Sequence, residues 1–306
     1  MRIVFAGTPE VALPALDAIS GSHHDLLAVL TRPDAARGRS SSLVPSPVAA
    51  WAAERGIETL KPASQREPTF RDRLRELAPD CCPVVAYGAL IPADVLAMPA
   101  NGWVNVHFSL LPSWRGAAPV QRAILAGDTE IGITVFDIIP ALDAGPVYLQ
   151  EASPLQEQET AGEVLRRLAG RGAELLVRVL DAIEDGTATA TPQASDGVTL
   201  APKLQVADAR IDWMASAVQI DKLIRACNPS PVAWTTHRGE RVKVLLGHPQ
   251  AGPVLPAGEL AVGRRTVNVG TGRGVLELLT VQPAGKRPMA AADWGRGLGA
   301  DPGEFQ

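Results

Sequence analysis

Scarcity bounds this chain in several ways. Aromatic residues make up 4% of its 306 positions, and nowhere do they gather into the stacking platform on which single-stranded RNA readers rely. Three cysteines occur, Cys81 and Cys82 adjacent and Cys227 far off; they offer neither a disulfide framework nor zinc-ligand spacing, and read as reduced structural thiols. No apolar run approaches the roughly 20 residues that span a bilayer, and MRIVFAG enters a strand-like run without a cleavage pattern, so a cytoplasmic chain with no membrane partner is expected. The nucleotide fingerprints are missing too. Gly7-Thr8-Pro9 supplies only the opening glycine of a dinucleotide loop, and no complete GxGxxG or P-loop pattern follows. The clusters Gly270, Gly272, Gly274 and Gly295, Gly297, Gly299 precede no amphipathic helix and read as tight turns. His23, His24, His237 and His248 show no HxH, HExxH or i,i+4 pairing, so no metal is expected.

What is present describes a globular protein. A 46% hydrophobic content fills a sizeable core, for one large or two ordinary domains. The net charge of -4 is uneven: -7 over residues 1–188, zero over 189–207 and +3 over 208–306. A mildly basic final third permits contact with a phosphate backbone, though ordinary surface scatter gives the same numbers.

In the first half, RIVFAG, DLLAVLT, CCPVVAYG, GWVNVHF and IGITVFDI read as strands, separated by helical segments near 12–20, 47–55, 69–77 and 118–126. That βαβ rhythm predicts a parallel sheet. Ser46 caps and Pro47 opens one of these helices, and Gly56 ends it. A longer helix over 161–184 closes the domain, and a Thr-, Ala-, Pro- and Gly-rich stretch follows. The predicted division is therefore 1–188 as an α/β domain, 189–207 as linker and 208–306 as a small β-barrel domain. This last part opens with a helix over 215–227, continues as short strands about ten residues apart, and ends in a Gly-rich tail after Met289 that is expected to fray.

The chemistry concentrates in NVHFSLLPSWRG. Side chains two apart in a strand share a face, so the Asn105 amide and His107 imidazole project together beside a proline-bounded turn. Asp143 lies in a Pro/Gly-punctuated loop between two apolar runs, from which its carboxylate could fold back onto the imidazole. An amide donor, a titratable ring and a carboxylate suit acyl transfer. Separately, the long loop 31–45 carries three arginines against one aspartate, a composition suited to covering a ligand as well as to a plain surface loop.

Together AGTPE, PSPV, VVAYGALIP, NVHFSLLPSWRGAAPVQRAI, GITVFDIIPALDAGPVY, ARIDW, IRACNPSPVAW and VQPAGKRPM cover nearly the whole chain in order, and resemble the methionyl-tRNA formyltransferase family. Asn-x-His-x-SLLP with the later LDxG points to folate-dependent formyltransferases as a class, and IRACNPSPVAW and QPAGKRPM to the tRNA enzymes within it. The resemblance implies a mostly parallel Rossmann-like domain that binds 10-formyltetrahydrofolate as formyl donor, then an OB-like β-barrel that helps hold charged initiator tRNA, in a monomer. It assigns Asn105, His107 and Asp143 as the catalytic trio, and Tyr87 and Ser109-Leu110-Leu111-Pro112 as folate contacts. Arg37, Arg39, Lys286 and Arg287 become tRNA contacts, and no metal takes part. Two positions depart from the family pattern: Phe108 replaces the usual glycine, and Ser40, Ser41 and Ser42 stand where the loop usually carries lysines. A formyltransferase acting on a small amine, a formylfolate hydrolase, and a non-catalytic RNA-binding module remain as alternatives.

Overall fold

Strand-like runs that are apolar on both faces assemble a sheet buried on both sides. In the computed structural model, which describes residues 1–36, 42–252, 255–299 and 301–306, the chain forms two compact units. The first comprises 1–119, 130–154 and 165–201; the second comprises 120–129, 155–164 and 202–306. The stretch 189–207 is thus divided between them at Ala201 and Pro202.

Through the first unit run β1 (Arg2–Gly7), α1 (Leu13–Ser20), β2 (Asp25–Leu30), the two-residue strands β3 (Ala35–Ala36) and β4 (Leu43–Val44), α2 (Pro47–Glu54), β5 (Glu58–Leu60) and α3 (Pro68–Leu77). Next come β6 (Cys82–Val85), α4 (Ala93–Leu96), β7 (Trp103–His107), β8 (Glu130–Asp137) and β9 (Val147–Pro154); α5 (Pro119–Ala126) belongs to the second unit from Val120 on, and α6 (Ala161–Glu184) to the first from Leu165 on. The main sheet has the order β5-β2-β1-β6-β7-β8-β9. Val4, Ala6, Ala28, Leu30, Val84 and Trp103 bury one face under Phe70, Leu74 and Leu77 of α3. Helix α2 starts as its sequence predicts: Ser46 Oγ accepts from Ala49 N at 3.1 Å, and Pro47 needs no N–H there.

The sheet is parallel from β5 to β7 and antiparallel at β7-β8 and β8-β9, the mostly parallel arrangement that the resemblance implies, with a reversal at β8 that the βαβ rhythm does not announce. The physical reason lies in α5. A parallel crossover needs a helix that carries the chain back along the sheet, whereas residues 120–129 belong to the second unit, where Leu125 packs on its core.

The second unit contains α7 (Ala217–Cys227), β10 (Trp234–His237), β11 (Glu240–Gln250), β12 (Leu260–Val262), β13 (Val267–Gly270), β14 (Val275–Pro283), β15 (Met289–Ala290) and α8 (Ala291–Arg296). Ser216 and Gln219 close a reciprocal capping box at the start of α7. The strands form an antiparallel sheet in the order β10-β11-β14-β13-β12, with β15 added on β14, curled into a half-barrel. Register shifts between Val244 and Gly247 bend β11 as bulges do.

The tail does not fray. Phe305 is 4% exposed, stacked between Trp213 at 5.2 Å and Trp294 at 5.7 Å, and Gln306 N donates to Thr236 O. An isolated phenylalanine after a Gly-rich run has no periodicity to announce it, which is why the sequence reading missed it. The reading of Gly295 as a turn is likewise corrected: it lies in α8, where a Cβ would come within 2.7 Å of Val267 Cγ2.

Candidate active site

Strand β7 places Asn105 and His107 on one face, between parallel β6 and antiparallel β8. His107 is 6% exposed, and its Nε2 lies 2.8 Å from the carbonyl oxygen of Trp114. A carbonyl only accepts, so Nε2 carries the hydrogen and Nδ1 is the free nitrogen in the neutral ring. Nδ1 faces Asp143 Oδ2 at 3.9 Å, too long for a hydrogen bond but close enough for strong attraction once the ring is charged. Burial pulls the His107 pKa below 6.5; the Asp143 charge and the Trp114 carbonyl pull the other way, with smaller effect.

Asp143 sits at φ 45° in the left-handed region, and its Oδ2 accepts from Gly116 N at 2.7 Å. Trp114 is also left-handed, at φ 62°, which suits a residue that must turn its carbonyl toward the ring. Two loops thus bracket the imidazole. Asn105 is half-buried, and its side-chain amide has no hydrogen-bond partner among the described residues, so its NH2 is available to a ligand.

The Ser109–Pro112 turn is held from beneath by residues the sequence reading did not single out. Thr134 Oγ1, fully buried on β8, donates to Ser109 O at 2.7 Å and accepts from Leu111 N at 3.1 Å. Gln150 Nε2 donates to Leu111 O and to Thr134 Oγ1. Gly145 is required by close approach, since a Cβ there would lie 1.7 Å from Asp137 O. Thr134 stands opposite His107 in the antiparallel pairing, a register that no sequence signal revealed.

The remaining candidates divide. Ser109 is fully buried, its hydroxyl donating to Ser113 O at 2.6 Å, and Leu111 is 5% exposed, so this turn offers ligands its backbone and the sides of Leu110 and Pro112. Tyr87 is 2% exposed within the core, and its hydroxyl accepts from Gln65 Nε2 at 2.5 Å. Phe108 is buried, with a ring carbon 3.7 Å from where a Cβ on Gly172 of α6 would stand; the ring fills space that the helix leaves by carrying glycine there. Lys286 and Arg287 lie in an exposed turn of the second unit after β14. Arg37 and Arg39, with Ser40 and Ser41, lie outside the described residues.

His23 and His24, paired only with each other in sequence, meet Asp181 and Glu184 of α6. His24 Nε2 is 3.1 Å from Asp181 Oδ1, His23 Nε2 is 2.6 Å from Glu184 Oε2, and the Met1 ammonium joins Glu184. An ammonium thus supplies positive charge to this cluster.

A profile described as formyl transferase matches residues 1–180, and one described as formyl transferase, C-terminal domain, matches 203–299, which defines the class. The methionyl-tRNA formyltransferase of Streptomyces coelicolor is 56% identical over 310 residues, and that of Salinispora arenicola 57% over 305; each alignment covers 99% of both chains. Among solved structures, HypX from Aquifex aeolicus in complex with tetrahydrofolic acid has the same fold, with a TM-score of 0.66 at 19% identity over 98% of this chain and 47% of that one. The chain belongs to the methionyl-tRNA formyltransferase family.

Proposed function

We propose that this chain transfers a formyl group from 10-formyltetrahydrofolate to the free amino group of methionyl initiator tRNA, giving N-formylmethionyl-tRNA for translation initiation, and that it works as a cytoplasmic monomer. The observation that carries the reading is the setting of His107, a buried ring with one nitrogen committed to a carbonyl and the other facing a carboxylate. The donor supplies the formyl carbon. An α-amino group titrates near ~8, so a useful neutral fraction attacks directly and no nucleophilic side chain is needed.

Asn105 would donate its NH2 to the formyl oxygen as that oxygen gains negative charge; removing one such donor costs on the order of 3 kcal/mol of barrier. His107 takes the proton shed by the attacking amine at Nδ1, the nitrogen left free by Trp114. Asp143 then stabilises the imidazolium 3.9 Å away, and the ring returns the proton to the departing nitrogen. Because burial favours the neutral ring, His107 enters each cycle as a base at neutral pH.

The fit of a flat folate ring is supported by the loop after β6. The chain reverses its direction of winding between β1 and β6, the place where open α/β sheets take ligands. There Thr8 Oγ1 donates to Tyr87 O, and Leu90 in the same loop is 81% exposed, an apolar surface that a heterocycle would cover. Lys286 and Arg287 would meet tRNA phosphates.

The test is transfer of labelled formyl from 10-formyltetrahydrofolate to charged initiator tRNA, with charged elongator tRNA as control. Transfer to the initiator alone, weakening steeply with salt, is expected. Absence of transfer, or a salt-independent KM for the acceptor, would sink the reading.

A further inference from the structure

One half-buried polar junction ties together both loops that touch His107, and it comes from the stretch whose composition suggested only a linker. Gln193 Nε2 donates to Asp143 O and to Gly145 O, each at 2.8 Å. Its Oε1 accepts from Arg115 Nε at 3.2 Å and Arg115 Nη2 at 2.6 Å. Guanidinium has no acceptor and carbonyls have no donor, so only one orientation of the amide satisfies these four contacts. Both of its donors and its acceptor oxygen are used.

The two ends of this junction reach the same ring. Arg115 lies between Trp114, whose carbonyl takes the His107 Nε2 hydrogen, and Gly116, whose N–H holds Asp143 Oδ2. The Arg115 backbone is itself tied to the stretch around Gln193: Arg115 N donates to Thr199 O at 2.9 Å and Ala201 N donates to Arg115 O at 2.7 Å. Trp114 N donates to Thr199 Oγ1, and Ser113 Oγ to Gly197 O. Asp143 has two reasons to drift without such a clamp. Its φ of 45° is disfavoured for a residue with a Cβ, and its carboxylate stands 3.9 Å from the ring, too far for a direct hydrogen bond to fix it there.

We infer that Gln193 is a positioning residue for formyl transfer, its amide setting the Asp143 loop against the Trp114–Gly116 loop so that Asp143 meets His107 Nδ1. This rests on the formyl-transfer reading of the site. Gln193 touches no reacting atom and acts through Asp143.

A double-mutant cycle on the full chain tests it, with formyl transfer read in single turnover and folate affinity measured separately. Gln193→Ala is expected to lower the transfer rate about tenfold to a hundredfold, the loss that a misplacement near 1 Å produces, with folate Kd changed less than about twofold. In an Asp143→Asn background the same substitution should cost less than about twofold, because its route of action has been removed. Gln193→Glu keeps the size and the Arg115 contact but sets a carboxylate oxygen against two carbonyls. It should therefore lose rate like the alanine variant while its melting temperature stays near the parent's. Equal losses in the Asp143 and Asp143→Asn backgrounds, or a loss confined to KM, overturn the inference. Near-normal transfer in Asn105→Ala and His107→Ala would instead overturn the site reading itself, so the two failures are distinguishable.

Discussion

Around His107 the chain is held by hydrogen bonds from side chains to backbone, whereas around Phe305 it is held by stacked rings. Thr134 and Gln150 fix the 109–112 turn, and Asp143 fixes Gly116, each through directional contacts of 2.7 to 3.1 Å. In the second unit, Trp213, Phe305 and Trp294 form a stack with interplanar angles of 13° and 5°. Rings of that size bury large apolar areas and contribute stability without dictating where any polar atom stands. Directional bonds contribute less net stability but position atoms to tenths of an ångström, which is what proton transfer requires. Damage near His107 should therefore appear in rate, and damage near Phe305 in folding.

The sharpest way to break that contrast is at the reacting groups. Asn105→Ala and His107→Ala should each lower turnover by at least ~100-fold, with folate affinity little changed. A melting temperature that fell in parallel with the rate would mean that these side chains serve the fold instead. Next in size, Phe305→Ala should destabilise the second unit by about 3 to 5 kcal/mol, the usual loss for a buried ring. Chemical denaturation measures this, and an unchanged midpoint would show that the stack carries no weight.

The pH response is smaller. His107 and His24 are both held below the ordinary 6.5 by burial. Above that value both rings are neutral in the folded and unfolded chain alike, so they impose no pH dependence. As pH falls below it the unfolded chain binds protons first, and stability drops until the depressed folded values are reached. Melting temperatures taken from about pH 7.5 to about pH 5 should thus fall less in His107→Gln than in the parent. Equal slopes would remove the ring as a source. The mildest change is expected from Lys286→Ala combined with Arg287→Ala: tRNA affinity weakens modestly and the slope of log affinity against log salt shrinks by about 2. An unaltered slope would take that turn out of the RNA contact.

The secondary structure was legible where periodicity was strong. The helix expected over 161–184 spans Ala161–Glu184, and the proline-opened helix at Pro47 begins as its capping serine indicates. Four strands of the main sheet fall within the apolar runs read as strands, and a fifth, β8, begins one residue before its run. The parallel direction of β5 to β7 follows the βαβ rhythm, whereas the reversal at β8 does not, because the rhythm says nothing about whether a helix returns along the sheet or joins another core. β9 escaped notice since its exposed edge alternates weakly, and β15 with α8 because glycines dilute any pattern there.

Local sequence by itself determined that Asn105 and His107 share a face, since a strand alternates with period two whatever surrounds it. It also set the cap of α2 and the apolar runs that make a sheet buried on both faces. Only the tertiary structure decided which ring nitrogen is free, what faces it, and that Thr134, Gln150 and Gln193 hold the loops around it. Those are contacts between residues from 7 to 78 apart in the chain, and such a contact exists only after the backbone has closed upon itself.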